Sequence, residues 1–211
     1  MSERTYEWRR ALQRAIKKNR RDAHNRYLQL ATVRADNSPA VRTLVFRSFV
    51  EDTSQLVMIT DARSAKREEV KLNAYGEISW YFTNTREQFR FRGSLSLVGA
   101  HASGDMTRDL KASSTDVRAE AASAAPDRDQ IWAGLSDAAK EQFFWPAPGE
   151  PLEHESAEGL PPDLGQPPGN FLLLILNVHS VDHLSLRGQP QTRWISSLDN
   201  LGAWTSQAVN P

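Results

Sequence analysis

Three short stretches carry side chains whose types and spacing could do chemistry together. Arg42 opens an apolar run, Arg42-Thr43-Leu44-Val45-Phe46. Further on, Thr60-Asp61-Ala62-Arg63-Ser64-Ala65-Lys66 joins a strand-like stretch to a helix-like one. A helix start presents free N–H groups and a positive dipole end, which suits a phosphate. Ser64 adds a hydroxyl there and Lys66 a cation. Arg42 could add a bidentate clamp if its strand lies beside this turn. Gln88, at the head of Glu87-Gln88-Phe89-Arg90-Phe91, carries both a donor and an acceptor, as reading the edge of a heterocycle requires. Each residue also has a plainer role open to it. Ser64 could be a helix cap, Lys66 a solvated lysine and Arg42 an ion-pair partner. Order and spacing together, rather than any one residue, point to a site.

Other chemistries find no support in the sequence. The phosphate-loop, dinucleotide, nucleophile-elbow and zinc-protease signatures are all missing. There is no cysteine, which excludes disulfides, thiolate metal sites and a cysteine nucleophile. Of the five histidines only His179 and His183 are near one another. Their stretch reads as strand, where positions i and i+4 lie far apart, so no metal site is expected.

The elements that must position these residues are mainly strands. Trp8, Leu12, Ala15 and Ile16 make one apolar stripe, which predicts an N-terminal helix with its basic residues outside. From Tyr27 the period becomes strand-like. Strands are predicted at Tyr27 to Arg34, Ala40 to Val50 and Gln55 to Thr60, separated by turn signals at Asp36-Asn37-Ser38-Pro39 and Glu51-Asp52-Thr53-Ser54. A helix over Ala65 to Ala74, capped by Ser64, follows. Strands at Glu77 to Phe82 and Glu87 to Val98 come next, and Gly93 within the second suggests a bulge or a close approach. The middle is helical and Pro-rich, an excursion over about 103–169. It holds a helix at Ser103 to Lys111, an Ala-rich stretch from Ala112 to Pro126, two short helices over Asp127 to Phe144 broken near Gly134, and a loop from Trp145 to Gly169 with seven prolines. The end is β again, at Asn170 to Asn177, Val181 to Arg187, Arg193 to Ser197 and Ala203 to Gln207. No alternating βα pattern appears. A mainly β fold, an antiparallel β-barrel with helices packed on it, fits best, as one domain over 1–211.

Composition agrees. A chain of 211 residues can bury one sizeable core. Lys+Arg and Asp+Glu are both 26, so no global charge draws the chain to nucleic acid or membrane. The start of the chain shows no secretory signal, and the longest strongly apolar run, Phe171 to Leu176, is too short to span a bilayer, so a cytoplasmic location is expected.

The series Arg-x-hydrophobic strand, Thr-Asp-x-x-Ser-x-Lys before a helix, and a strand opening Glu-Gln-hydrophobic resembles the FMN-binding core of the pyridoxamine 5′-phosphate oxidase-like split barrels. The resemblance covers Arg26 to Gly99, returns from Phe171, and includes the closing Trp204 and Val209-Asn210-Pro211. Gln142-Phe143-Phe144-Trp145-Pro146-Ala147-Pro148-Gly149 is similar to a marker of a divergent branch. The resemblance implies an FMN-binding split barrel and a homodimer with FMN at the subunit interface. It implies that Arg42, Ser64 and Lys66 hold the FMN phosphate, that Thr43, Leu44, Val45 and Thr60 line the flavin through their backbone, and that Gln88 hydrogen-bonds the ring or ribityl chain. Arg193 matches an arginine near the flavin N1 side, and Arg47 matches a basic residue that faces substrate. The sequence departs from the family in three places. Ala65 stands where a second phosphate cation is usual, and Leu184 where a tryptophan is. Gln189-Pro190-Gln191-Thr192-Arg193 stands where the oxidases carry Arg-x-His-x-Arg, unless a shifted hairpin lets Arg187 supply the missing charge.

Three functions are compatible with the sequence. The first is an FMN-dependent oxidoreductase acting on a small molecule. The second is a flavin- or haem-binding sensor or storage protein on the same barrel. The third is a nucleic-acid module using the basic first helix.

Overall fold

The computed structural model describes residues 6–22, 24–99, 126–151 and 162–211. The helix expected at Ser103 to Lys111, the Ala-rich stretch up to 125 and part of the Pro-rich loop lie outside these residues.

The first helix, α1, spans Glu7–Lys18 and turns Trp8, Leu12 and Ala15 into the core as its apolar stripe requires. Arg9 departs from the expectation that the basic residues stay outside. It is buried, donates to the Thr53 carbonyl at 2.5 Å, and lies over the Phe49 ring at 4.6 Å.

Strands β1 (Tyr27–Val33) and β2 (Pro39–Val45) form an antiparallel pair in which Arg42 lies opposite Leu30. The strand expected to run from Ala40 to Val50 breaks at Phe46 and Arg47 and resumes as β3 (Ser48–Phe49), which pairs with β4 (Gln55–Asp61). The sheet order is β2-β1-β5-β6-β7-β4-β3, with β5 at Tyr75–Phe82, β6 at Glu87–Val98 and β7 at Phe171–Ser185. Its two end strands are therefore consecutive in the chain. Crossing from one to the other in two residues is possible only if the sheet curls round on itself, which removes most of the exposed edge. Phe46, at the crossing, is buried and packs on Phe49 and Trp80 with ring centroids 4.9 and 5.0 Å apart.

β7 is one continuous strand, where the sequence suggested two, Asn170 to Asn177 and Val181 to Arg187. The polar residues at Asn177, His179 and Ser180 look like a turn, but β6 pairs with β7 along its whole length and carries the chain through. The register shifts between Arg92 and Gly93, and a Cβ on Gly93 would lie 1.9 Å from the Asn177 carbonyl oxygen. The glycine thus makes both the bulge and the close approach. β8 (Thr192–Leu198) and β9 (Trp204–Val209) extend the sheet beyond β7.

The interior of the curl holds Leu28, Leu30, Met58, Ile78, Trp80, Phe89, Phe91 and Leu174. Helices α3 (Arg128–Ala133) and α4 (Asp137–Glu141) and a 3-10 turn (Gln142–Phe144) cover the other face of β7, where Trp132 and Phe143 pack on Phe171, Leu173 and Ile175. Both faces of β7 are thereby buried from Phe171 to Leu176, which explains the unbroken run of apolar residues there. No described helix is long and apolar enough to cross a membrane.

Candidate functional site

The helix expected over Ala65 to Ala74 is shorter, α2 at Lys66–Leu72, and Ser64 is not its cap. The cap position is Ala65, with no side-chain hydrogen bond. Two turns of helix carry only a weak dipole, so side chains, rather than the helix end, give this corner its chemistry.

Ser64 is buried, and its hydroxyl donates to the Asp61 carbonyl at 2.7 Å. The Lys66 ammonium donates to Ser64 Oγ at 3.0 Å, and Thr60 Oγ1 lies 3.3 Å from the same oxygen. Thr60 is buried at the end of β4, opposite Leu172. Burial lowers the Lys66 pKa, and the neighbouring Arg42 charge adds to the effect. Among the described residues no carboxylate forms an ion pair with Lys66.

Arg42 reaches this corner from β2, as the family resemblance implies, but it is already engaged. Its guanidinium pairs with Glu69 of α2 at 2.5 Å and hydrogen-bonds Thr32. Thr32 also donates to Glu69 at 2.5 Å. Burial pushes the Glu69 carboxyl up, but its hydrogen bonds to Thr32 and Arg42 outweigh this and hold it below the usual carboxylate range. Arg42 and Glu69 neutralise one another, as do Arg63 and Asp61 at 2.7 Å. Lys66, by contrast, has no ion pair among the described residues. A half-buried ammonium that donates to a hydroxyl and has no ion-paired carboxylate among the described residues fits a compact anion such as a phosphate monoester.

The second group lies elsewhere. Gln88 pairs with Leu184, and Leu184 with Arg193, so the three form one row across β6, β7 and β8. They line a cavity of about 320 Å³ together with Arg90 and Asp182. Asp182 holds Arg193 through two hydrogen bonds of 3.0 and 2.8 Å and also pairs with Arg90. The observed register sets Arg193 opposite Leu184, and Arg187 instead donates to the Asn84 carbonyl at 2.5 Å.

The two groups do not meet within one chain. Arg42 belongs to the row Leu30, Ile78 and Phe91, which faces the buried interior, as does Leu44 opposite Leu28. Gln88 lies opposite Tyr81, on the outer face, where Thr43 and Val45 also point. Along β7, Leu184 is twelve residues beyond Leu172, the partner of Thr60. That is roughly 40 Å of strand path at about 3.3 Å per residue. Arg47 sits at the crossing between β2 and β3, and its buried Nε has no hydrogen-bond partner among the described residues. Burial lowers its pKa, and Arg26 lowers it further.

Sequence reasoning missed Thr32, Glu69, Asp61, Asn170 and Asp182, which hold the chosen residues in place. Only Asp61 offered a local signal, since an aspartate two residues before an arginine in a turn can bond that residue's backbone. It does so at 2.7 Å. The others act across long stretches of sequence.

Comparisons with known proteins bear on the family of the chain. A family profile described as the FMN-binding domain of pyridoxamine 5′-phosphate oxidase matches residues 5–99. The chain is 32% identical over 209 residues to pyridoxine/pyridoxamine 5′-phosphate oxidase 2 of Arabidopsis thaliana, covering 97% of this chain and 96% of that protein. Its fold is similar to a pyridoxamine 5′-phosphate oxidase-related, FMN-binding protein from Nostoc punctiforme PCC 73102, with a TM-score of 0.83, 46% identity and 100% of both chains covered. PhzG from Burkholderia lata 383, in complex with tetrahydrophenazine-1-carboxylic acid, shares the fold at a TM-score of 0.67 and 17% identity, over 99% of this chain and 95% of that one. A curled antiparallel barrel and kinship over nearly the whole chain converge: the protein belongs to the pyridoxamine 5′-phosphate oxidase-like family of FMN-binding split barrels.

Proposed function

We propose that the chain binds FMN and, as a homodimer, acts as an FMN-dependent oxidoreductase on a small molecule. The observation that carries this reading is Lys66, a half-buried cation whose described partner is a hydroxyl rather than a carboxylate. Ser64, Thr60 and Lys66 would take the phosphate, with Arg42 adding charge beside them. The backbone of Thr43, Leu44 and Val45 would pass along the ring. Bound FMN would supply the redox chemistry, and the protein would hold, orient and tune it.

A second copy of the chain is part of the proposal. Gln88 and Arg193 lie on the outer face of the sheet, away from the interior-facing Arg42 row. One flavin could touch both groups only if the second came from a partner subunit. Tyr27, Val41 and Tyr81 leave apolar surface exposed on that outer face, which supports an interface there.

The test is to add FMN or FAD to purified protein and follow the visible absorbance and flavin fluorescence, with light scattering on the same sample. The expected result is saturable FMN binding, weaker FAD binding and twice the 23.7 kDa chain mass. Folded protein that stays colourless with FMN would refute the cofactor assignment, and a monomeric mass at micromolar concentration would refute the two-subunit site. Turnover of bound flavin with a reductant and oxygen separates an enzyme from a flavin-storing protein.

A further inference from the structure

The segment Gln142-Phe143-Phe144-Trp145, conspicuous in the sequence for its aromatics, is docked onto the turn that carries Ser64 and Lys66. Phe143 is buried, its ring 5.0 Å from Phe171 and 5.8 Å from Trp132. That burial fixes the backbone at the end of the 3-10 turn, where carbonyls have no partner within the helix. Two side chains take them up. Arg63 donates from Nη2 to the Phe143 carbonyl at 3.1 Å and from Nη1 to the Trp145 carbonyl at 2.9 Å. Asn170 Nδ2 donates to the same Phe143 carbonyl at 2.9 Å.

Both side chains also grip the turn. Arg63 bonds the Asp61 carboxylate through Nε at 3.0 Å and Nη2 at 2.7 Å. Asn170 Nδ2 reaches Asp61 Oδ2 at 2.9 Å, and the Asn170 backbone carbonyl accepts the Ala62 N–H at 2.8 Å. Asp61 in turn accepts from the Ser64 hydroxyl and N–H through its own carbonyl, at 2.7 and 3.1 Å. An unbroken chain of hydrogen bonds therefore runs from the aromatic segment through Arg63 and Asn170 to Asp61 and Ser64. Burial pushes the Asp61 carboxyl up, yet its bonds from Arg63 and Asn170 outweigh this and keep it ionised and able to accept. Arg63 has most of its five N–H groups committed here, so it is not a free substitute for the phosphate cation that Ala65 lacks.

We propose that Arg63 and Asn170 are positioning residues of the anion site, clamping the Asp61–Ser64 turn between the 143–145 segment and the start of β7 so that Ser64 and Lys66 keep the spacing a phosphate needs. This rests on the reading of Ser64 and Lys66 as the FMN phosphate site. The clamp depends on geometry rather than charge. A lysine at position 63 would keep the charge but could not bridge one carboxylate and two carbonyls at fixed angles.

The experiment measures FMN and riboflavin dissociation constants for full-length wild type, Arg63→Ala, Arg63→Lys and Asn170→Ala, with a thermal melt of each. Riboflavin has the ring but no phosphate. The expected result is a fall of about tenfold in the FMN-to-riboflavin affinity ratio for all three variants, with riboflavin affinity little changed. An unchanged ratio in Asn170→Ala, or wild-type behaviour of Arg63→Lys, would overturn the proposal. So would equal loss of both flavins together with a lowered melting temperature, which marks general destabilisation. Wild-type protein that binds neither flavin would overturn the FMN reading and the clamp together, whereas FMN binding with unaltered ratios removes the clamp alone.

Discussion

Replacing Lys66 by Met should weaken FMN binding while leaving the flavin-free fold no less stable. Methionine keeps the length of the side chain and deletes the ammonium. In the flavin-free chain the ammonium is half-buried, lies beside Arg42 and makes one described hydrogen bond, to Ser64 Oγ at 3.0 Å. Losing that bond costs about 1 kcal/mol. Removing a desolvated cation from beside another cation returns a similar amount. The two nearly cancel, so the melting temperature should stay within a few degrees or rise. With FMN present the balance changes, because a charge-assisted contact to phosphate contributes about 1.5–3 kcal/mol. Its loss raises the dissociation constant roughly ten- to a hundredfold. Flavin fluorescence titration and a melt without FMN read the two quantities on one sample. Undiminished FMN affinity in Lys66→Met would show that the half-buried lysine is not there for an anion. A lowered melting temperature with intact FMN affinity would show a purely structural lysine.

Arg42→Ala should behave differently, because it leaves the buried Glu69 carboxylate with Thr32 as its remaining hydrogen-bond partner among the described residues. Breaking a fully buried pair costs about 3–5 kcal/mol, and partial exposure brings the expected loss here to about 2. Urea unfolding should show most of it restored in Arg42→Ala with Glu69→Gln, and equal stability of single and double variants would contradict the pairing. Rising alkaline pH should weaken FMN binding. The free-state Lys66 pKa lies below its ordinary value of about 10.4, and phosphate favours the charged form, so binding takes up a proton and loses affinity as pH rises through the free-state pKa. The flavin-free fold moves the other way, gaining stability over that window, since the unfolded chain binds more protons there. A flat FMN affinity from pH 7 to about 10 would contradict this. Oxidation of pyridoxine or pyridoxamine phosphate by FMN-loaded protein should be weak. Gln189 to Thr192 offer amides and a hydroxyl in place of a cation and an imidazole, and Arg187 is turned to the Asn84 carbonyl. Oxygen-dependent formation of pyridoxal 5′-phosphate at about 10 per second would overturn that expectation.

What the sequence by itself determined were the local patterns and the ordered motifs. Alternation placed β1, β4, β5 and β6, the apolar stripe placed α1, and Gly93 announced its bulge. The series from Arg42 through Ser64 and Lys66 to Gln88 was enough to name the family. Each of these signals is carried by residues close together in the chain. Tertiary structure decided everything that depends on partners far apart. It split the second strand at Phe46 and Arg47, because that crossing closes the sheet, and it joined the two halves of β7, because β6 pairs along both. It tied Arg42 to Glu69, twenty-seven residues away. It also set Gln88 and Arg193 on the face opposite Arg42. Periodicity records which face of its own element a residue takes, but not which distant carboxylate or carbonyl will satisfy it once the chain has curled.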